Sequence, residues 1–338
     1  MVAARGTFSF QHAFGGAAVP EPTAPPASGW MLAAGGTFYL GSADASSWQA
    51  ASGTLPDDGY AQALAWDPLN ERYLAARSVG GLYASDDEGG TWTLVEADAI
   101  NDSGSTSADR ATGIFYFPAA GLFLCGPAPF GSTEGHWWSE NGQDWYPPET
   151  PGYSFSGSID FDGERFVRFN NRDDPAITRS TDGKNWVNAT TVSDGNPSHE
   201  GLWAGRWLSS TNEGLLAVSA DGVSWTWGTG EALPNIRSMW GRPDGAVILQ
   251  ASSSGIIMRS TDNGDSFTQV ADAGDSDAIT DIRSSDLDGS LLIAAGHGGK
   301  VLVSEDVGAT WTDISGTSGL PSGSARVTAL APNVAEHP

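Results

Sequence analysis

The groups in this 338-residue chain that could do acid–base, nucleophilic or metal chemistry are 41 acidic side chains, five histidines and one cysteine. A glycosidase needs two carboxylates roughly 5–10 Å apart across a cleft, and Asp160 and Asp281, each on an expected innermost strand, are the least arbitrary pair. His12, His136, His199, His297 and His337 have no ligand-like spacing, and the "DFDG" and "DLDG" strings are too short for a calcium loop. Cys125, inside the apolar run "LFLCGP", reads as a small buried residue and rules out an intrachain disulfide. No phosphate-cradling glycine motif stands out. The expectation is therefore no metal and no cofactor.

Binding chemistry has better candidates. Three segments are unusually long or aromatic, 97–110, 127–138 and 147–155, and "NNRDD" (170–174) lies next to them. They offer Phe130, His136, Trp137, Tyr153, Asn171 and Arg172, whose aromatic faces and amide, imidazole and guanidinium donors suit a carbohydrate or a protein. Trp137 and Trp138 are adjacent on an expected strand and must point to opposite faces. Arg110, Arg237 and Arg326 each begin an expected innermost strand and could ring a channel mouth.

The charge balance limits the partners. Sixteen basic residues against 41 acidic ones give a net charge of −25, and nucleic acid and anionic membrane surfaces are repelled. No apolar run reaches the length of a membrane span, and the N-terminal segment lacks the apolar core of a signal peptide, so secretion and membrane insertion are not expected.

The elements that must position these residues come from internal repetition. "SADGVSW" (219–225) returns as "STDGKNW" (180–186) and "SENGQDW" (139–145), and in a form one residue longer as "SDDEGGTW" (85–92), "STDNGDSF" (260–267) and "SEDVGATW" (304–311). A degenerate copy, "SADASSW", spans 42–48. The seven leading serines, Ser42 to Ser304, are spaced by 43, 54, 41, 39, 41 and 44 residues, a period that fits one four-stranded blade. Short apolar strands flank each copy, and two more lie upstream in each repeat, joined by turns such as "FDGE" and "RPDG".

The pattern S-x-D-x-G-x-T-W resembles the Asp-box, or BNR repeat, of sialidases, other glycosidases and many non-enzymatic propellers, over residues 29–332. The resemblance implies an all-β, seven-bladed β-propeller of four-stranded antiparallel blades, with the boxes joining third and fourth strands on the face opposite the functional one. It implies structural roles for Asp44, Asp87, Asn141, Asp182, Asp221, Asp262 and Asp306, and packing roles for Trp48, Trp92, Trp145, Trp186, Trp225, Phe267 and Trp311. Sialidase chemistry is not implied: the F-R-I-P motif is absent, no arginine lies between Arg5 and Arg72, and no tyrosine follows Tyr153.

The first repeat begins at "GWMLAAGG" (29–36), a second strand, and "ARVTALAP" (325–332) supplies the missing innermost strand, so the C-terminal strand is expected to close the ring. Residues 1–28, with the Pro/Ala-rich "VPEPTAPPASG", read as an extended N-terminal arm, and 333–338 as a tail. The arm would dock on neighbouring subunits. The expectation is a non-enzymatic module of a larger assembly, a bacteriophage tail or virion protein that presents the propeller to a host glycan or a protein. The alternatives are a glycoside hydrolase and a cytoplasmic assembly factor.

Overall fold

A computed structural model describes residues 29–56, 59–77, 81–96, 113–126, 136–147, 149, 159–169, 177–190, 197–203, 205–211, 215–231, 236–274, 279–321 and 326–332. The arm, the tail and most of the long loops lie outside them.

The chain is an all-β propeller. Its first blade holds β1 (Trp30–Ala34), β2 (Thr37–Gly41) and β3 (Trp48–Ala50), with the C-terminal β27 (Val327–Pro332) as innermost strand. The next blade is β4 (Ala61–Asp67), β5 (Arg72–Arg77), β6 (Leu82–Ser85) and β7 (Thr93–Glu96). A three-stranded sheet follows: β8 (Ile114–Phe117), β9 (Leu122–Cys125) and β10 (Trp137–Ser139). Four complete blades finish the chain. They are β11 (Ile159–Phe161) to β14 (Val187–Thr190), β15 (Pro197–Trp203) to β18 (Thr226–Glu231), β19 (Ile236–Gly241) to β22 (Thr268–Asp272), and β23 (Ile279–Ser284) to β26 (Thr312–Asp313). All pairings are antiparallel between sequence neighbours, except that β27 joins β1 with Trp30 opposite Pro332 and Leu32 opposite Leu330.

Six blades thus have four strands, and the expected seventh has three among the described residues. The physical reason is in the sequence. In the repeat at 139–145 the strand after the turn begins Tyr146-Pro147-Pro148. Proline has no N–H to donate to a ladder, and pairing here is limited to a single bridge between Trp138 and Tyr146.

Each of the seven repeated turns is built the same way. The leading serine hydroxyl donates to the acidic or amide side chain two residues on, from Ser42 to Asp44 at 2.6 Å through to Ser304 to Asp306 at 2.9 Å. That side chain in turn accepts backbone amides further along the turn, such as Thr91 on Asp87 at 2.7 Å and Ser224 on Asp221 at 2.7 Å. Hydrogen bonds to the ionised form favour it. The hydroxyls of Ser42 and Ser266 hold Asp44 and Asp262 down to about 2, and the amide of Ser224 does the same for Asp221.

The turn also fixes one blade to the next. Gly308 has φ +74, and a β-carbon built on it would stand 2.7 Å from Leu249 Cδ2 on β20 (Ile248–Ser252) of the preceding blade. The equivalent glycines of other turns meet Met31, Leu122, Val167 and Leu208 in the same way, each on the second strand of the sheet before. In the degenerate copy Ala45 takes the glycine's place at φ +55 and packs among Leu291 and Ile293 of the last blade, across the closure. The longer turns absorb their extra residue by placing it, too, at positive φ: Glu88, Asn263 and Val307.

Hydroxyls bolt the innermost strands together. Thr328 on β27 donates to Ala61 O on β4, Thr280 on β23 to Val327 O at 3.3 Å, and the Ile282 amide donates to Ser238 Oγ on β19 at 3.1 Å. Apolar clusters fill the spaces between sheets. Phe117 of β8 meets Phe166 of β12 (Phe166–Phe169) edge-on at 5.1 Å, and Tyr73 and Tyr83 of one blade pack with Met31 and Phe38 of another.

The turn aromatics divide into two kinds. Trp48, Trp145 and Trp186 are buried, each indole donating at 3.0 Å to the carbonyl three residues back. Trp92, Trp225, Phe267 and Trp311 are half-buried, with Trp92, Trp311 and Phe267 packed against the clusters between blades. Trp186→Ala should cost about 3–5 kcal/mol through lost burial and a cavity, and Trp311→Ala clearly less, measured by urea unfolding. Equal losses would contradict this division. Gly316→Ala, at φ +81 in open space, should cost about 1–2 kcal/mol for the backbone alone. Gly308→Ala adds the collision with the fully buried Leu249, a further 1–3 kcal/mol or so. Equal effects of the two glycine substitutions would show that the turn does not seat on the neighbouring blade.

Candidate functional site

Of the six residues expected to bind a partner, Phe130, Tyr153, Asn171 and Arg172 lie outside the described residues. His136 and Trp137 stand at the start of β10, where the three-stranded sheet meets its neighbours. The two adjacent tryptophans do point to opposite faces. Trp137 packs with the cluster shared with the β4–β7 blade, and Trp138 with the cluster shared with the β11–β14 blade. Trp137 and Trp138 are thus both half-buried between sheets.

His136 is 2% exposed, so it is an interior group and not a surface ligand. Its Nδ1 lies 2.7 Å from Nη1 of Arg168, which is 1% exposed on β12. Arg168 Nε donates to Thr178 Oγ1 at 2.7 Å, and the guanidinium lies over the Trp186 ring at 3.7 Å. A buried guanidinium needs acceptors and a polarisable face, and β10, β13 (Ile177–Ser180) and the turn after it supply them. Burial first, then the Arg168 charge, hold the imidazole well below its ordinary value. His136 is therefore neutral, with Nδ1 accepting from Arg168. No sequence signal links these residues, which come together from positions 32 apart.

Among the described residues, Asp160 and Asp281 do not stand together as a paired acid and base. Asp160 on β11 accepts its own chain's Phe161 amide at 2.8 Å. Asp281 on β23 is raised by burial, opposed by Arg283, whose Nε is 3.0 Å away, and by the Leu330 amide on the closing strand. These two aspartates belong to different blades separated by two others. Arg237 is exposed at the start of β19, and Arg326 directly precedes β27. Among the described residues no three His, Cys, Asp or Glu side chains are grouped to hold a metal, and no helix is long and apolar enough to cross a membrane.

Two surface features were missed by sequence reasoning. One is an open cleft of about 560 Å³ on the turn face, lined by Asn70, Arg72, Asp86, Leu94, Gln143 and Asp144 among others. At its base Asp67 is fully buried. Burial raises its carboxyl, against the opposing hydrogen bond of Asn70 at 2.7 Å and the charge of Arg72 at 3.2 Å. Arg72 reaches on to Gly142 O at 2.8 Å and Asn70 to Asn141 O at 2.8 Å, so polar side chains bridge these two sheets at the turn, beside the apolar cluster the sheets also share. The other is a rim of stacked rings. Tyr146, 48% exposed, lies 4.7 Å from Trp138 with the rings 29° apart, and Lys184 Nζ stands 3.8 Å from the Trp138 ring.

The His136 environment gives a pH prediction. Its folded value lies below its unfolded value of about 6.5, so the unfolded chain takes up the proton first and stability falls as pH drops below ~6.5. Melting temperatures between pH 8 and 5 should decline more steeply for the native chain than for His136→Gln. Parallel curves would mean that the imidazole is already protonated in the fold.

No family profile matches the chain, and no curated protein matches it by sequence. Among solved structures it is similar to YCF48 bound to a D1 peptide, at 13% identity and a TM-score of 0.55, over 80% of this chain and 91% of that one. It is similar to YCF48 from Cyanidioschyzon merolae at 12% identity and 0.55, over 82% and 95%. It also resembles a chain of the nidogen/laminin complex at 10% identity and 0.52, over 91% and 99%. At these identities the likeness shows a shared β-propeller fold.

Proposed function

We propose that this chain is a seven-bladed Asp-box propeller, the three-stranded sheet counting as its third blade, that works as a non-enzymatic docking module in a larger assembly. The assembly we have in mind is a bacteriophage tail or virion, with the chain made in the cytoplasm. The observation that carries the reading is the separation of the two faces. Gly29, whose amide donates to Gly41 O at 2.9 Å, sits beside the turn at 42–48, and Pro332 pairs with Trp30, so the arm and the tail both leave from the turn face. The long segments 97–112, 127–135, 150–158 and 170–176 connect second to third or fourth to first strands and so belong to the opposite face. One face is then free for attachment and the other for recognition.

Two further points support it. The turn carboxylates are engaged in their own turns, and Asp160 and Asp281 have local partners on separate blades, an arrangement unlike a two-carboxylate hydrolase. YCF48 in one structural neighbour is bound to a peptide and nidogen in another is in complex with laminin, so this fold does present itself to polypeptides. Here the partner is a polypeptide or a host glycan, met by Phe130, Tyr153, Asn171 and Arg172 together with Trp137.

The test is a pair of variants. A chain lacking residues 1–28 should keep its cooperative unfolding and fail to join its assembly, because the arm supplies no blade strand. Tyr153→Ala should assemble normally and lose at least tenfold in attachment, the scale of one aromatic anchor at about 2 kcal/mol. Normal incorporation of the shortened chain would refute the docking arm. Glycoside hydrolysis abolished by Asp160→Asn or Asp281→Asn would establish an enzyme instead.

A further inference from the structure

We propose that the exposed ring stack of Tyr146 and Trp138 is a platform for a proline-rich extended segment, and that its occupant is residues 19–28 of the same chain, "VPEPTAPPAS". This goes beyond the docking role of the arm: it gives the arm a resting place on its own propeller, and it stands whether or not the arm also reaches a neighbour.

The ring stack is fixed by its own backbone. Trp138 is fixed by backbone pairing with Tyr146 in both directions, at 3.0 and 2.9 Å, and by its indole donating to Pro147 O at 3.2 Å. Tyr146 lies across it with 48% of its surface exposed, where the complete blades run a fourth strand. Aromatic faces of this kind recognise polyproline helices, which are preformed and lose little entropy on binding.

The occupant follows from reach and charge. Pro20, Pro22, Pro25 and Pro26 fall within ten residues of Gly29, which is on the turn face, and Tyr146 directly follows a turn on that same face. Ten residues of polyproline helix extend about 30 Å. From the first blade to the three-stranded sheet are two steps between packed sheets at about 10 Å each, so the segment reaches. Its one charged residue, Glu21, would come to Lys184, one of two lysines in a chain of net charge −25, as a second carboxylate beside Glu140, which Lys184 already holds at 2.7 Å. Being tethered, the segment has an effective concentration in the millimolar range, so even a weak contact is populated.

The two lysines make the test direct. The full chain carries Ala24→Cys with a nitroxide label and ¹³C-methyl groups on Lys184 and Lys300. Cys125 is fully buried and its thiol pushed up to about 12, so it stays unlabelled. Lys300, paired with Asp313 in the last blade, is the internal control. The Lys184 methyl signal should lose most of its intensity, Lys300 should keep its own, and dilution with unlabelled chain should change neither. Tyr146→Ala, or Pro22→Gly with Pro25→Gly, should restore Lys184. Equal intensities at both lysines, or broadening that survives both sets of substitutions, would overturn the platform. Broadening that disappears on dilution would overturn the same-chain occupant in favour of a second copy.

Discussion

The interaction on which the rest of the molecule depends is the seating of the turn glycine on the second strand of the sheet before it, seen at Gly89, Gly183, Gly222, Gly264 and Gly308. A single blade of four short strands has two apolar faces and cannot bury both by itself. The turn settles which neighbour covers which face, because at Gly183, Gly222, Gly264 and Gly308 the backbone meets a leucine or valine with no room for a β-carbon. The serine and aspartate hold the loop in the shape that presents this glycine, and the aromatic closes the same turn from the other side. Because Ala45 repeats the contact against Leu291 and Ile293, the ring closes by the rule that builds it, and the β1–β27 pairing adds the ladder that joins the two chain ends.

The same arrangement explains why so acidic a chain offers so little acid–base chemistry. A carboxylate that accepts a hydroxyl and a backbone amide within its own turn is held ionised at any physiological pH and faces its own turn. The charged groups that do depart from this pattern, Asp67, Asp281 and Arg168, are buried between or along strands with partners of opposite charge or with hydrogen bonds, and they tie blades together. At the Asp67 joint a polar bridge is added to the apolar packing. There Gly142 meets a carboxylate where its counterparts meet aliphatic side chains, and Asn70, Arg72 and Gln143 bridge the two sheets. The open cleft lies beside this polar bridge, at the sheet that has three strands among the described residues.

What could be read from the sequence was whatever the repeat enforces. The seven turns, the flanking strands and the closing role of 327–332 are all in phase with one period, so each copy constrains the others, and Trp137 and Trp138 on opposite faces follow from strand alternation alone. What could not be read was set by contacts between different repeats. His136 sits at the edge of a long glycine-rich segment and reads as a loop residue, yet Arg168, Thr178 and Trp186 bring it into the interior. The shortened third sheet was legible in principle, because Tyr146-Pro147-Pro148 denies the ladder its donors, but the regularity of the other copies argued more strongly for a fourth strand. The Asp67 network hides in "WDPLNER", whose aspartate, asparagine and arginine act only once Gly142 has come against them from the next sheet.

The two faces then differ in a way that bears on what each can meet. The turn face carries the locked carboxylates together with Asp86, Glu140, Asp265 and Glu305, and its few cations, Lys184, Arg206 and Arg242, are already paired with neighbours on the same face. These exposed pairs contribute little stability, but they reduce the free positive charge there. An anionic surface or nucleic acid is repelled from that face, and a partner held only by salt bridges would be screened away at physiological ionic strength. The proposed attachment of the proline-rich arm, with one charged residue in its last ten, would draw on apolar and polyproline contacts. Arg237 at the start of β19 and Arg326 just before β27 lie at strand ends away from the turns, where the turn carboxylates do not reach.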